Sequence, residues 1–126
     1  MLCPCCSNNT FADCCQPFIN GKKIAPTAES LMRSRYSAYT LANIDYIAKT
    51  MRGEPKKGFN KKEAKQWAEA ANWQKLEILQ ANENDVEFKA YYQLEGEQHT
   101  LHEHSLFKFS KGQWYYIGIY TNPKSK

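Results

Sequence analysis

The sequence predicts an α+β fold: three helices packed on one face of a curved, cone-like antiparallel sheet, preceded by a short cysteine-rich segment. Three observations carry this. Helical periodicity and capping residues occupy the stretch from Ala25 to Ala71, and apolar–polar alternation takes over at Trp73. All five cysteines fall between Cys3 and Cys15. With 126 residues the chain has room for one main domain and a small appendage. The division expected is a knuckle over residues 1–23 and an α+β body over 24–126.

The elements follow in order. Residues 1–23 hold few large apolar side chains (Leu2, Phe11, Phe18, Ile19), so this segment needs a staple to fold. It closes at the turn "NGKK". Thr27 is placed to cap a first helix from Ala28 to Thr40, with Glu29 in the first turn where a negative charge suits the helix dipole. Asn43 caps a second, shorter helix to about Thr50. "RGEPKKGF" reads as a loop, and Asn60 followed by Glu63 opens a third helix to about Ala71. "WQKLEILQA", "VEFKAYYQLEG", "LHEHSLFKFS" and "WYYIGIYT" then read as strands, separated by hairpin turns at "NEND", "EGEQ" and "SKG". A pocket is expected between sheet and helices.

The cysteines read first as metal ligands. Cys3-x-Cys5 and Cys14-Cys15 are two closely spaced pairs, and four thiolates can close a tetrahedral zinc shell. Pro4 stiffens the first pair, "SNNT" tolerates tight turns, and metal binding would supply most of the folding free energy of the segment. Cys6 is an extra thiol that could replace Cys5. Cys3-Pro4-Cys5-Cys6 also has the spacing of a redox dithiol, but the βαβ context that normally accompanies one is absent. An odd number of cysteines fits a fully disulfide-bonded domain poorly.

The opening residues lack a basic n-region and an apolar run, and no stretch is long and apolar enough to span a bilayer, so the cytoplasm is the expected location. The formal net charge is +4, carried partly by the pairs Lys22–Lys23, Lys56–Lys57 and Lys61–Lys62 and by Lys124 and Lys126. Such pairs usually mark a solvated surface; RNA or a ribosome is a compatible partner that nothing in the sequence requires.

"CPCCSNNTFADCC" resembles the SEC-C motif, the zinc knuckle at the end of the SecA translocase, which begins CPCGSGK and continues to CC or CH. The resemblance implies one zinc ion per chain held by Cys3, Cys5, Cys14 and Cys15, with Ser7 on the motif serine and Cys6 and Asn8 where the motif has glycines. "PFINGKKIAPTAESLMRSRYSAYTLANIDYI", "LHEHSLFKF" and "WYYIG" are similar to the bacterial YchJ family. This implies a nuclear transport factor 2-like domain of cystatin-like α+β shape behind the knuckle, in an uncharacterised cytoplasmic protein. By analogy with the SEC-C knuckle it also implies contact with a protein or ribosome.

On a helical wheel Ala28, Leu31, Met32, Tyr39 and Ala42 share a stripe. Arg35 lies within it, whereas Arg33 points towards solvent. On the strand "LHEHSLFKF", Leu101, Phe107 and Phe109 share a face with Glu103 and Ser105. Arg35 and Glu103 are thus the charged residues on two apolar surfaces and are expected to meet inside the domain. They would form either an ion pair that orients helix and sheet or the polar groups of a ligand pocket. His102 and His104 fall on the opposite, solvated face with Lys108. No nucleophile motif, phosphate loop or dinucleotide fingerprint is present, and Glu103 is the weak candidate for acid–base chemistry. The leading expectation is a non-enzymatic adaptor that docks through its knuckle. The alternatives are small-molecule binding or catalysis at the Arg35/Glu103 pocket, and RNA association through the lysine pairs.

Overall fold

The computed structural model describes residues 1–119; Lys124, Lys126 and the end of the fourth expected strand lie outside the described residues. A 3-10 turn at Phe11–Asp13 leads into α1 (Gln16–Ile19). Then come α2 (Ala28–Thr40), α3 (Ile44–Lys49), α4 (Glu54–Lys57) and α5 (Lys61–Ala70). The strands β1 (Asn72–Ala81), β2 (Asp85–Leu94), β3 (Glu97–Ser110) and β4 (Gln113–Ile119) complete the order. They form one antiparallel meander, β1-β2-β3-β4.

The helix starts follow from local chemistry. Thr27 Oγ1 accepts from the Ser30 N–H at 3.0 Å, and Ser30 Oγ accepts from the Thr27 N–H at 3.0 Å, a reciprocal capping box. Asn43 Oδ1 caps α3 at the Tyr46 N–H, and Asn60 Oδ1 caps α5 at the Glu63 N–H. The stretch "RGEPKKGF", expected as a loop, contains the single-turn helix α4. Gly53 enters it at φ 75, and Pro55 fits the first turn, where a missing N–H costs nothing.

Two hairpins turn on residue pairs with positive φ, Glu95–Gly96 (53 and 80) and Lys111–Gly112 (51 and 82). Such pairs match the right-handed twist of the flanking strands. The tightness of the first turn places Glu97 and Gln98, expected in the turn, inside β3. Both outer edges of the sheet are met by other chain segments. Beside β4, the Tyr116 N–H donates to Thr50 O at 2.8 Å and the Arg52 N–H to Tyr116 O at 2.9 Å. Beside β1, the Leu76 N–H donates to Cys6 Sγ at 3.5 Å.

The inner face of the sheet presents Leu76, Val86, Phe88, Ala90 and Phe107 to Ala28, Leu31 and Met32 of α2 and Ile47 of α3, all buried. Phe109, expected on this face, is 56% exposed. Long strand β3 outruns its helical cover, and Phe109 there packs edge-on to Trp114, with ring centroids 5.4 Å apart. Among the described residues no helix is long and apolar enough to cross a membrane.

On the outer face His102 pairs with Glu87 and His104 with Asp85, linking β2 to β3. The hydrogen bond from His104, helped by one from Asn82 Nδ2, holds the Asp85 carboxyl below the ordinary range. A depressed carboxyl contributes stability that is complete above the unfolded pKa of about 3.9 and is lost as pH falls through the folded value. Thermal melts below pH 4 should therefore show wild type and Asp85→Asn converging. At neutral pH the wild type should be favoured by under about 1 kcal/mol.

Candidate functional site

The knuckle is a tight loop whose two limbs meet. The Cys3 N–H donates to Asn9 O at 2.9 Å, Leu2 bridges Thr10, and the Cys6 N–H folds back to Cys3 O at 3.2 Å. Cys6 and Asn8 adopt φ of 67 and 71, the left-handed conformation that glycine accepts most readily and asparagine tolerates. The second cysteine pair comes from the 3-10 turn and the start of α1, with Phe11 buried beneath it.

The Sγ atoms of Cys3, Cys5, Cys14 and Cys15 all lie within 4.8 Å of one another. Cys5 and Cys14 are 3.6 Å apart, and Cys14 and Cys15 are 3.9 Å apart. A tetrahedral thiolate site with metal–sulfur bonds of about 2.3 Å has edges of about 3.8 Å, so the donor set fits a metal ion. All five thiols are free. The electrostatics point the same way. Donation from Cys15 brings the Cys5 thiol down to about 4 and pushes Cys15 up. Burial raises Cys14, with the charge on Cys5 adding to it. Four thiols so crowded cannot all ionise until a cation joins them. Held by Cys3, Cys5, Cys14 and Cys15, a metal ion would supply cross-linking of the segment.

The cluster is fastened to the body. Arg33, expected in solvent, donates from Nη1 to Cys5 O at 2.8 Å and from Nε to Glu29 Oε2 at 2.9 Å. Burial opposes its charge, but Glu29 and Cys5 together raise its pKa. Ser37, fully buried, meets Cys3 Sγ at 3.5 Å. Helix α2 is therefore covered on two sides, by the sheet and by the knuckle. That is why Ser37 is buried away from the apolar stripe, while Ser34 is buried against the Tyr46 hydroxyl of α3 at 2.7 Å. The signal available in the sequence was the small hydroxyl residue Ser37 facing away from that stripe.

Cys6 stands outside the four-sulfur cluster. Its Sγ contacts Pro4 O at 3.6 Å and accepts from the Leu76 N–H. Cys6→Gly should keep its full metal content, because glycine accepts the left-handed backbone and no ligand is lost. Elemental analysis showing half the wild-type metal would instead make Cys6 a ligand.

A second feature lies between α2, α5 and the sheet, a cavity of about 260 Å³. Arg35, Tyr39, Trp67, Trp73, Glu103 and Tyr116 are among its lining residues. Trp67 and Trp73 meet at 87°, with ring centroids 4.9 Å apart, and Tyr36 packs edge-on to Trp73 at 5.9 Å. Arg35 and Glu103 both line this space, but no ion pair joins them. Arg35 Nη1 donates to Ile47 O at 2.9 Å and Thr50 Oγ1 at 2.7 Å. Glu103 Oε2 accepts from Ser105 Oγ at 2.7 Å and from the Tyr116 hydroxyl at 3.4 Å. Tyr116 stands between them, its ring 4.8 Å from the guanidinium carbon. The expected direct pair is thus a three-residue relay, since Arg35 reaches the end of α3 before it reaches the sheet. Helical and strand periodicity could not find the aromatic wall, because Tyr39, Trp67 and Trp73 read equally well as core.

The other candidates are less concentrated. His102 and His104 are engaged with carboxylates on the outer face. The paired lysines at 22–23, 56–57 and 61–62 are exposed, with Lys57 on Glu54 and Lys61 on Asp45.

Comparison with known proteins places these features in a family context. Residues 27–118 match the family described as YchJ, middle NTF2-like domain. A UPF0225 protein of Geobacter sulfurreducens is 40% identical over 126 residues, covering 94% of this chain and 78% of the relative. One from Actinobacillus succinogenes is 39% identical, covering 92% and 79%. The solution structure of a SEC-C motif containing protein from Rhodopseudomonas palustris superposes with a TM-score of 0.85 at 33% identity, over 97% of this chain and 99% of that one. The crystal structure of a SEC-C motif containing protein from Psychrobacter arcticus gives 0.78 at 29% identity, over 95% and 83%.

Proposed function

The chain belongs to the YchJ (UPF0225) family, and from that premise we propose that it is a zinc-stapled protein of the cytoplasm that binds a small molecule in the cavity of its NTF2-like domain. The observation that carries this reading is the cavity itself, where a buried guanidinium and a half-buried carboxylate share aromatic walls without pairing with each other. Apolar walls with a few converging polar groups are the usual anatomy of a ligand site. The zinc has a structural part: four thiolates close its shell and leave no position for a substrate. Ligand-observed NMR with small aromatic compounds on the full zinc-loaded chain tests the proposal. Binding should occur and weaken at least tenfold in Trp73→Ala. Absence of binding at millimolar concentrations would falsify it.

A second reading, docking of the knuckle on a protein or ribosome, is favoured by one observation. Met1 and Leu2 are 83% and 63% exposed on the knuckle, whose inner side is tied to α2. Affinity capture comparing wild type with Leu2→Asp separates the two readings. Ribosomal or translocation proteins held by the wild type and released by the variant support docking, and identical captured sets remove it.

A further inference from the structure

We propose that the cavity ligand is a small planar carboxylate, its carboxylate held by the free edge of Arg35 and a hydroxyl or amine at its far end donating to Glu103. This rests on the small-molecule reading above and adds the chemical class. Arg35 is 8% exposed, and no ion pair joins it to a carboxylate among the described residues. Both of its hydrogen bonds leave from Nη1, so Nε and Nη2 have no hydrogen-bond partner among the described residues, and neither atom is sealed from the open cavity. Its charge rests on Nη1 and the Tyr116 ring while the other donors face the cavity, so an anion that enters there finds an uncompensated guanidinium edge.

The geometry selects among anions. With Nη1 committed to α3, the remaining Nε–Nη2 edge offers two parallel donors, the fork that matches a carboxylate. The Tyr39 hydroxyl, also on the cavity wall, has no hydrogen-bond partner among the described residues and adds a donor. A phosphate dianion is a poorer match, because the cavity supplies one unpaired cation and already contains the carboxylate of Glu103. A ligand cation is disfavoured by Arg35 itself.

The far end and the size follow from the same residues. Glu103 receives both of its hydrogen bonds at Oε2, which leaves Oε1 to accept from a ligand. Trp67, Trp73 and Tyr36 are among the lining residues, and aromatic walls suit a flat body. A volume of about 260 Å³ holds roughly a dozen non-hydrogen atoms at interior packing density, a single substituted ring.

The test compares 4-hydroxybenzoate with its neutral counterpart 4-hydroxybenzamide, by calorimetry on the full zinc-loaded chain. The acid should bind at least tenfold more tightly. That preference should vanish in Arg35→Gln and persist in Glu103→Gln. If Arg35→Gln proves unfolded by circular dichroism, the acid–amide ratio in wild type and in Glu103→Gln decides alone. Equal affinities for acid and amide overturn the carboxylate class and leave small-molecule binding standing. Failure of both probes, together with failure of neutral aromatics such as indole, overturns both. An acid preference that survives in folded Arg35→Gln removes Arg35 from the role.

Discussion

Purified under reducing conditions without chelator, the protein will carry close to one zinc ion per chain, and Cys15→Ser will lose it together with at least about 3 kcal/mol of stability. Cys15 is 1% exposed and belongs to the four-sulfur cluster. Structural zinc contributes about 10–16 kcal/mol to the folding of isolated zinc-finger peptides, comparable to the entire margin of a domain. Here the loss is shared, because residues 1–23 also lean on the body. Arg33 holds Cys5 O, Ser37 meets Cys3, and Cys6 covers the Leu76 N–H on the sheet edge. A melting temperature lower by about 10–20 °C is expected, with sharper loss of amide protection around Ser37 and Leu76 than around Phe107. A metal-free, fully stable Cys15→Ser protein would make the cluster a set of idle thiols.

Arg35→Ala will destabilise the domain by about 2–4 kcal/mol, whereas Glu103→Gln will change stability by less than about 1 kcal/mol. The asymmetry follows from who holds whom. Arg35 ties α2 to the C-terminal end of α3 through Ile47 O and Thr50 Oγ1 and lies over the Tyr116 ring. Its truncation removes those bonds and enlarges the cavity. Glu103 only accepts, from Ser105 and Tyr116, and an amide oxygen can accept the same two bonds. A direct buried ion pair would behave differently, since removing either partner strands the other charge at a cost of about 3–5 kcal/mol. Urea denaturation of the two variants decides the matter. Large and equal losses would restore the ion pair expected from the sequence.

The two outcomes also mark where reading the sequence stops. Alternation over Leu101–Phe107 placed the inner face of β3 correctly, because period two holds wherever one face is buried. It failed at Phe109, where the strand continues but the cover does not. Caps at Thr27, Asn43 and Asn60 were legible because each depends on a side chain and an N–H three residues away. The helix α4 was hidden by its Gly and Pro, which serve a helix start as well as they serve a loop.

By itself, the sequence determined the α+β order, the helix starts at Ala28, Ile44 and Lys61 and the meander, because these rest on local spacing; the spacing left Cys5 and Cys6 as alternatives, and the set Cys3, Cys5, Cys14 and Cys15 came from the SEC-C resemblance. Its resemblance to the YchJ family agrees with the comparisons. Only the tertiary structure decided that Arg33 and Ser37 hold the knuckle, that Cys6 meets a strand edge, and that Arg35 and Glu103 share a cavity without touching. These contacts join residues 12 to 70 positions apart or span an open space. No periodicity along one element reports which side chain from another will arrive opposite it.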